Sequence, residues 1–549
     1  MKDMSAKTVT LELEGTLTIA DIEAVALGGA EVALSPDARD ALAAFRAAAE
    51  KALGSALRDD PDRRVYGLNT GFGSNFKDYV SPEELKQLQR NLIISHCAGM
   101  GPLAPAPVVR ATMLLRAASL SRGHSMVRPV VVETLIDMLN NGVTPAVPRN
   151  GSVSASGDLA PLSHVAAVVI GEGRVMGANG EAVTTREYLK SAKDAFAPIE
   201  LEMKEGLALN NGCQYANAWG VLATAKMRRL VEAAALNAAL GVQVMRGMGR
   251  PFRADLHALR AHAGSVTVAQ WVFDLLEGYQ FQNVSTDVKY EYDGRIQDPY
   301  NLRCAAQVLG PCLELIARAE KTMTIEARSV TDNPIDLNTD AERYDLDEIT
   351  SGGHFHGMPL AVDIFGLLQA AGIMAQISNL RCARIVDASR NKGLGPQVRG
   401  NTPNATQSGL MITEYTTAGL CNQIWGLAMP SHLMSMPTDS GQEDHVSMAA
   451  SVAMRAYEAA DLLADVLAIE MAFDSQAEAV RGREAGKHAQ ALAPVALGKR
   501  TQAALEQISK TFPLVDGDRE LSWDLKQLSE AVLSGEIVAA TGYVFAARH

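Results

Sequence analysis

The chain has 549 residues, of which 47% are hydrophobic and 21% charged, and its formal net charge is −13. That is ordinary globular composition, and the length leaves room for several domains. The acidic balance argues against a surface that tracks nucleic acid, and the short Lys226-Met227-Arg228-Arg229 run reads as a solvated helix face.

Val9, Leu11 and Leu13 alternate with Thr10, Glu12 and Glu14, the period of a strand with one buried face. Residues 37–57 are alanine-rich and helical in pattern, whereas 65–80, rich in Gly, Asn and aromatic residues, read as a long loop. Helical pattern returns from 82 to about 97 and from 105 to 122. Residues 165–190 carry an apolar run, a Gly171-Glu172-Gly173 break and a second run, which predicts a small hairpin. From about 207 onward the pattern is of long helices. In 445–475, Leu462, Val466, Ile469 and Phe473 share one face, and Leu463, Leu467 and Met471 form an adjoining stripe. Residues 360–386 repeat this with Leu360, Ile364, Leu367, Leu368, Ala371, Met374 and Ile377. Apolar faces this broad are buried on several sides, which predicts a central bundle and association between copies.

The six cysteines (Cys97, Cys213, Cys304, Cys312, Cys382 and Cys421) form no CxxC pair, so reduced thiols are expected rather than a disulfide framework or zinc site. The N-terminus lacks an apolar signal core, and no uninterrupted apolar run approaches the roughly 20 residues of a membrane span. A soluble, cytoplasmic protein is expected.

The chemistry concentrates at Ala155-Ser156-Gly157, within SASGDLAPLSH. Attack by the Gly157 nitrogen on the Ala155 carbonyl carbon closes a five-membered ring, and loss of the Ser156 hydroxyl leaves an exocyclic methylidene. Gly157 has no side chain to block the approach, and the closure needs a strained turn held by its surroundings. Taken alone, the tripeptide is a small-residue turn. Further blocks accompany it. Val65-Tyr66-Gly67-Leu68-Asn69-Thr70-Gly71-Phe72-Gly73 is glycine-rich but lacks the Lys-Ser/Thr of a phosphate loop. Ser95-His96 lies on a helical face, where a histidine is ordinarily structural. Asn210-Asn211-Gly212 is a helix-end turn. Gln297-Asp298-Pro299-Tyr300-Asn301-Leu302-Arg303-Cys304 reads as a helix start with Asp298 as N-cap and Pro299 in the first turn. Thr331-Asp332-Asn333-Pro334, Gly353-His354-Phe355-His356-Gly357 and Gln442-Glu443-Asp444-His445-Val446-Ser447-Met448 complete the set.

Together these blocks resemble the aromatic amino-acid ammonia-lyases and aminomutases, most of all the histidine ammonia-lyases, from about Tyr66 to about His445. The resemblance implies a mainly α fold of the fumarase/aspartase type: a long central helix bundle with a smaller mixed α/β N-terminal part. It implies that Ala155, Ser156 and Gly157 form 4-methylideneimidazole-5-one (MIO), with no external cofactor and no metal. It assigns Tyr66 and Tyr300 to proton transfer beside that ring. It places Ser95 and His96 against the substrate ring, Asn211 near the amine, Arg303 on the carboxylate, and Gln297, Asn333 and Phe355 around them. It further implies a homotetramer with shared active sites, acting on a small amino acid, with neither nucleic acid nor membrane as partner. The 442–448 block corresponds to a structural helix start.

Three positions depart from the pattern: Asn210, His354 and Gln423. The last is aligned to where histidine ammonia-lyases carry a catalytic Glu. Because an amide accepts no proton, either the tyrosines do all the base work or the substrate is not histidine. Eliminating ammonia requires making the amine a better leaving group and removing a weakly acidic β-proton. A phenol with an ordinary pKa near ~10 serves as that base only if its pKa is depressed. The reading is therefore an ammonia-lyase, L-histidine to urocanate first, against a tyrosine (or other arylalanine) lyase or 2,3-aminomutase. A fumarase/aspartase-type lyase lacks its GSSxMPxKxN loop here, and a non-catalytic helical scaffold is the bland alternative. Three segments are expected: 1–205 bearing the tripeptide, 206–480 as the helical bundle, and 481–549 as a C-terminal helical part.

Overall fold

The computed structural model describes residues 8–71, 73, 79–81, 84–177, 179–400, 405–481 and 495–546, without the side chains of residues 292 and 293. Phe72, residues 74–78, residues 82 and 83, and residues 482–494, for which loop or helix was expected, lie outside the described residues. The chain divides into two compact units, each assembled from separated stretches. One is residues 1–222 with Ala319–Ile364 and Pro430–Met454; the other is Ala223–Arg318, Phe365–Met429 and 455–549. The three segments expected above are contiguous in sequence, whereas these units are not.

In the first unit the opening strand is Thr8–Leu11, paired in parallel with Glu31–Leu34. It stops before Leu13 because the chain turns there toward Gly15, which has φ +70°. Thr18 and Asp21 cap the next helix reciprocally, Ile19–Gly28. Ser35 caps the helix Pro36–Asp59, and proline in its first turn is pre-set for the helical φ. Helices Leu85–His96 and Ala106–Leu120 follow, close to expectation. The 165–190 expectation needs correction: the first apolar run lies inside the helix Leu159–Val169, and only the stretch after the glycine break forms the hairpin, Arg174–Met176 with Ala182–Thr184. A short apolar run carries no period of its own, and alanines at 160, 166 and 167 favour helix.

Four long helices account for the bundle pattern: Gln214–Val244, Ala305–Ala327, Met358–Val386 and Ala449–Arg481. In the last, Leu463, Val466, Leu467, Met471 and Phe473 are fully buried and Ile469 is nearly so. Each such side chain contributes roughly 1.5–3 kcal/mol on burial. Met358–Val386 is long and apolar enough to cross a membrane by length and composition, and 61% of its apolar window is buried inside the protein.

Within the second unit three of these helices are joined by a buried polar cluster. Arg381 holds Glu470 with its Nε and, at 2.9 Å, with Nη2, while Asn237 Nδ2 donates to Glu470 Oε2 at 3.0 Å. Both members of the ion pair are almost inaccessible. Glu470→Gln leaves the Arg381 charge buried without its counter-charge, and losing one partner of a buried pair costs about 3–5 kcal/mol. A clearly lowered urea midpoint is expected; an unchanged midpoint refutes the role.

Candidate active site

A cavity of about 610 Å³ opens in the first unit, a size suited to a small ligand. The 154–158 turn forms part of its wall, with Ala155 and Ser156 facing in. Ser154 is held at φ +50° and Gly157 at φ +74°. A β-carbon on Gly157 would lie 2.3 to 2.5 Å from the backbone of Gly212, so only glycine fits. Gly157 and Gly212 form a parallel bridge, and the Asp158 N–H donates to the Gly212 carbonyl at 2.7 Å.

The turn is over-determined from every side. Ser152 Oγ and Ser154 Oγ both donate to Asp158 Oδ1, at 2.6 and 2.8 Å, and the Ala216 N–H donates to Oδ2 at 2.8 Å. The Ser154 carbonyl accepts from Ser447 Oγ at 2.8 Å and from the Gly357 N–H at 3.2 Å. The Ala450 N–H reaches Ser154 Oγ at 3.0 Å, and the Met448 N–H reaches the Val153 carbonyl at 2.9 Å. Asn211 Nδ2 donates to the Ser156 carbonyl at 2.7 Å. Non-glycine residues at positive φ cluster here: Ser154, Asp439, Ser440 and Met448. Each such residue costs of order 1–3 kcal/mol and persists only where the surroundings enforce it. These residues fit a backbone cyclisation at 155–157: the glycine is sterically required, the serine faces open space, and the strain is already present.

Of the residues expected at the site, Tyr66, Ala155, Ser156, Asn211, Asn333 and Phe355 line this one cavity, with Gly157 in the turn behind. Tyr66 is carried between Val65 and Leu68, which pack with Ala49, Leu53, Met126 and Met203. Asn69 Oδ1 accepts from the Val65 N–H at 2.8 Å and its Nδ2 donates to the Arg63 carbonyl at 2.9 Å, bracing the loop entry. Asn333 follows Asp332, which forms a fully buried 2.6 Å pair with Lys204; Asn333 Oδ1 accepts from the Gly352 N–H at 2.7 Å. Buried Arg116 donates to the Asn211 carbonyl at 2.7 Å. The Asn211 side-chain Oδ1 is buried with no hydrogen-bond partner, an acceptor without a donor on the cavity wall.

Other expectations are not met in this cavity. Ser95 and His96 lie at the end of the helix Leu85–His96, hydrogen-bonded to each other at 3.1 Å, and do not line it. Gln297, Tyr300, Arg303 and Gln423 belong to the second unit. Tyr300 is 72% exposed there, and Arg303 donates from Nε to the Asp298 carbonyl at 2.8 Å, with its guanidinium 4.7 Å from the Tyr300 ring. Asp298 is no N-cap: its Oδ2 accepts from the Met248 N–H at 2.6 Å, and Pro299 takes the cap position. Gln423 sits exposed on the helix Met411–Leu427 and does not line this cavity. Asn210 is buried behind the wall, donating to Ser163 Oγ at 3.1 Å, and His354 is exposed outside the lining.

The cavity supplies carboxylates that the sequence reading missed: Asp439, Glu443 and Asp444, with His356 and His445 beside them. The 442–448 block does start a helix, Ala449–Arg481, with Ser447 Oγ accepting from the Ala449 N–H at 3.3 Å, but Gln442 to His445 also line the cavity. Among the described residues no lysine or arginine lines the cavity. Burial, and then Asp439, Asp332 and Glu443, hold the Tyr66 phenol above its ordinary range, against a 3.4 Å hydrogen bond from the Gly73 N–H. The depressed phenol expected of a base is therefore not produced by the groups of this cavity.

Burial also raises the carboxyls of Asp158 and Glu326, and that of Glu326 is pushed up to about 7 by desolvation and then by the charge of Asp158. Below an unfolded-state value of 4.5, Glu326 is neutral in both states; as pH rises toward about 7 only the unfolded chain ionises, and stability is lost. Glu326→Gln stays neutral throughout. Its thermal midpoint should gain on that of the wild type as pH climbs through this window, and parallel profiles would exclude the effect.

The aromatic amino acid lyase family model matches residues 17–510. The histidine ammonia-lyase of Bradyrhizobium diazoefficiens is 38% identical over 530 residues, 96% of this chain and 95% of its own. Among solved structures, the tyrosine aminomutase of Streptomyces globisporus matches with a TM-score of 0.87 at 29% identity, covering 98% of each chain. The histidine ammonia-lyase of Trypanosoma cruzi matches at 0.83 and 28% identity, over 98% of this chain and 95% of that one. The mainly helical fold expected from the sequence is the one these enzymes share, and by the span and identity of these matches the chain belongs to the aromatic amino acid lyase family.

Proposed function

We propose that the protein is an ammonia-lyase for aromatic L-amino acids, converting L-histidine to urocanate, with Ala155, Ser156 and Gly157 forming MIO. The carrying observation is the over-constrained 154–158 turn on the wall of a cavity also lined by Tyr66, Asn211, Asn333 and Phe355. Once formed, the ring supplies an electrophilic carbon that turns the amine into a better leaving group. Asn211 Oδ1, buried without a donor, is placed to accept from the substrate ammonium. Glu443, Asp439 and Asp444 make the wall acidic, which suits an ammonium and a ring that itself donates a hydrogen bond, as imidazole does. Tyr66 Oη takes the β-proton, and Tyr300 exchanges protons beside it. The cationic substrate and an arginine must lower the Tyr66 phenol against the carboxylates that raise it.

That arginine is Arg303, which also receives the substrate carboxylate, its planar fork matching both oxygens. Tyr300, Arg303 and Gln297 reach the cavity from other copies of the chain in a homotetramer. The support is that these residues are absent from its lining and that Ile373, Leu380, Ile412, Tyr415 and Trp425 are exposed on two helices of the second unit. Six unpaired cysteines accord with a cytoplasmic location. The likeness to a tyrosine aminomutase favours a second reading, a tyrosine lyase or 2,3-aminomutase.

Purified protein offered L-histidine, L-tyrosine and L-phenylalanine, with arylacrylate and β-amino acid separated, decides between them. Urocanate as the main product is expected, and turnover confined to tyrosine overturns the histidine assignment. Tyr66→Phe should fold and lose both waters at 155–157, yet turn over roughly 10²–10⁴-fold more slowly, the usual worth of a positioned proton acceptor. A near-wild-type kcat removes Tyr66 from that role.

A further inference from the structure

Two loops clamp the 152–158 turn. The 353–357 loop does so through the Gly357 N–H on the Ser154 carbonyl at 3.2 Å. The 442–450 stretch does so through Ser447, Met448 and Ala450, with contacts of 2.8, 2.9 and 3.0 Å. The loops are themselves joined by two histidines. The His356 and His445 rings stack with centroids 5.5 Å apart and planes 26° apart. His356 Nε2 lies 3.1 Å from the His445 carbonyl and 3.4 Å from His445 Nδ1. The Met358 N–H donates to His356 Nδ1 at 3.4 Å, so a neutral ring with its proton on Nε2 satisfies both sides. Both rings line the cavity next to Ser156. Among the described residues no group of three or more His, Cys, Asp or Glu could hold a metal ion.

We infer that the stacked His356–His445 pair is a positioning latch for ring closure at Ala155-Ser156-Gly157, an inference that rests on the function proposed above. In that closure the Gly157 nitrogen bonds to the Ala155 carbonyl carbon. The Ala155 oxygen leaves as water with the amide protons of Gly157 and Ser156. The Ser156 hydroxyl then leaves as a second water with the Ser156 α-hydrogen. No oxidant or reductant is needed. The attack requires the two backbone groups to be pressed together, and the loops that press them are tied by the donation from His356 Nε2 to the His445 carbonyl, beside the stacked rings.

The test follows maturation of the full chain made by cell-free synthesis and quenched over time. Intact mass gives the fraction that has lost two waters, and circular dichroism gives the folded fraction. His356→Phe keeps a ring for stacking but removes the Nε2 donor. Per folded molecule it should mature roughly three- to tenfold more slowly, the worth of one net hydrogen bond. His356→Gln restores an amide donor and most of the rate. Wild-type maturation of folded His356→Phe overturns the latch, as does His356→Gln proving as slow as Phe. If His356→Phe does not fold, His356→Asn, whose shorter amide falls short of the carbonyl, is read by the same criteria. A folded wild-type chain that keeps both waters removes the proposed function itself, whatever the variants do.

Discussion

The contact between Gly157 and Gly212 is the constraint on which the rest of the site depends. Two glycines from stretches 55 positions apart approach too closely for any side chain, and each holds a φ that L side chains rarely adopt. Around that contact the turn is held by Asp158 at Ser152 and Ser154, by Asn211 at the Ser156 carbonyl, and by Gly357, Ser447, Met448 and Ala450 at Val153 and Ser154. The energy of this strain is not local. It is sustained by buried packing elsewhere in the same unit, including Leu162, Val165 and Val168 of the helix that Asp158 starts.

Electrostatics divides the remaining chemistry. Among the described residues the cavity wall gathers carboxylates and histidines, which suit positive charge and hydrogen-bond donors. Carboxylates near Tyr66 oppose ionisation of its phenol. A wall with that bias is poorly matched by itself to an amino acid's carboxylate, and Arg303 is carried in the other unit of the chain.

Much of the fold was legible because helices announce themselves locally. The stripes at 462–473 and 360–377 repeat at helical spacing, and the side chains they mark are mostly buried. The short elements were less so. The run at 165–170 carries no decisive period, and the opening strand ends where a glycine turn, not the alternation, dictates. At the site, Tyr66, Asn211, Asn333 and Phe355 were readable through blocks of neighbouring residues. Glu443 and His445 were taken only for a helix start, and Asp439 was passed over, because nothing in their own stretch says which cavity they face. Ser95 and His96 were placed at the substrate, yet lie at a helix end outside this cavity.

The amino-acid sequence alone determined the mainly helical bundle and a tripeptide whose residue types, the glycine included, fit a backbone cyclisation. Those depend on residue type and short-range spacing, which the chain carries locally. Only the tertiary structure decided that an acidic wall faces the tripeptide and that two distant loops meet through His356 and His445. Those depend on which segments, hundreds of residues apart, are brought into contact when the core closes, and no local pattern encodes that proximity.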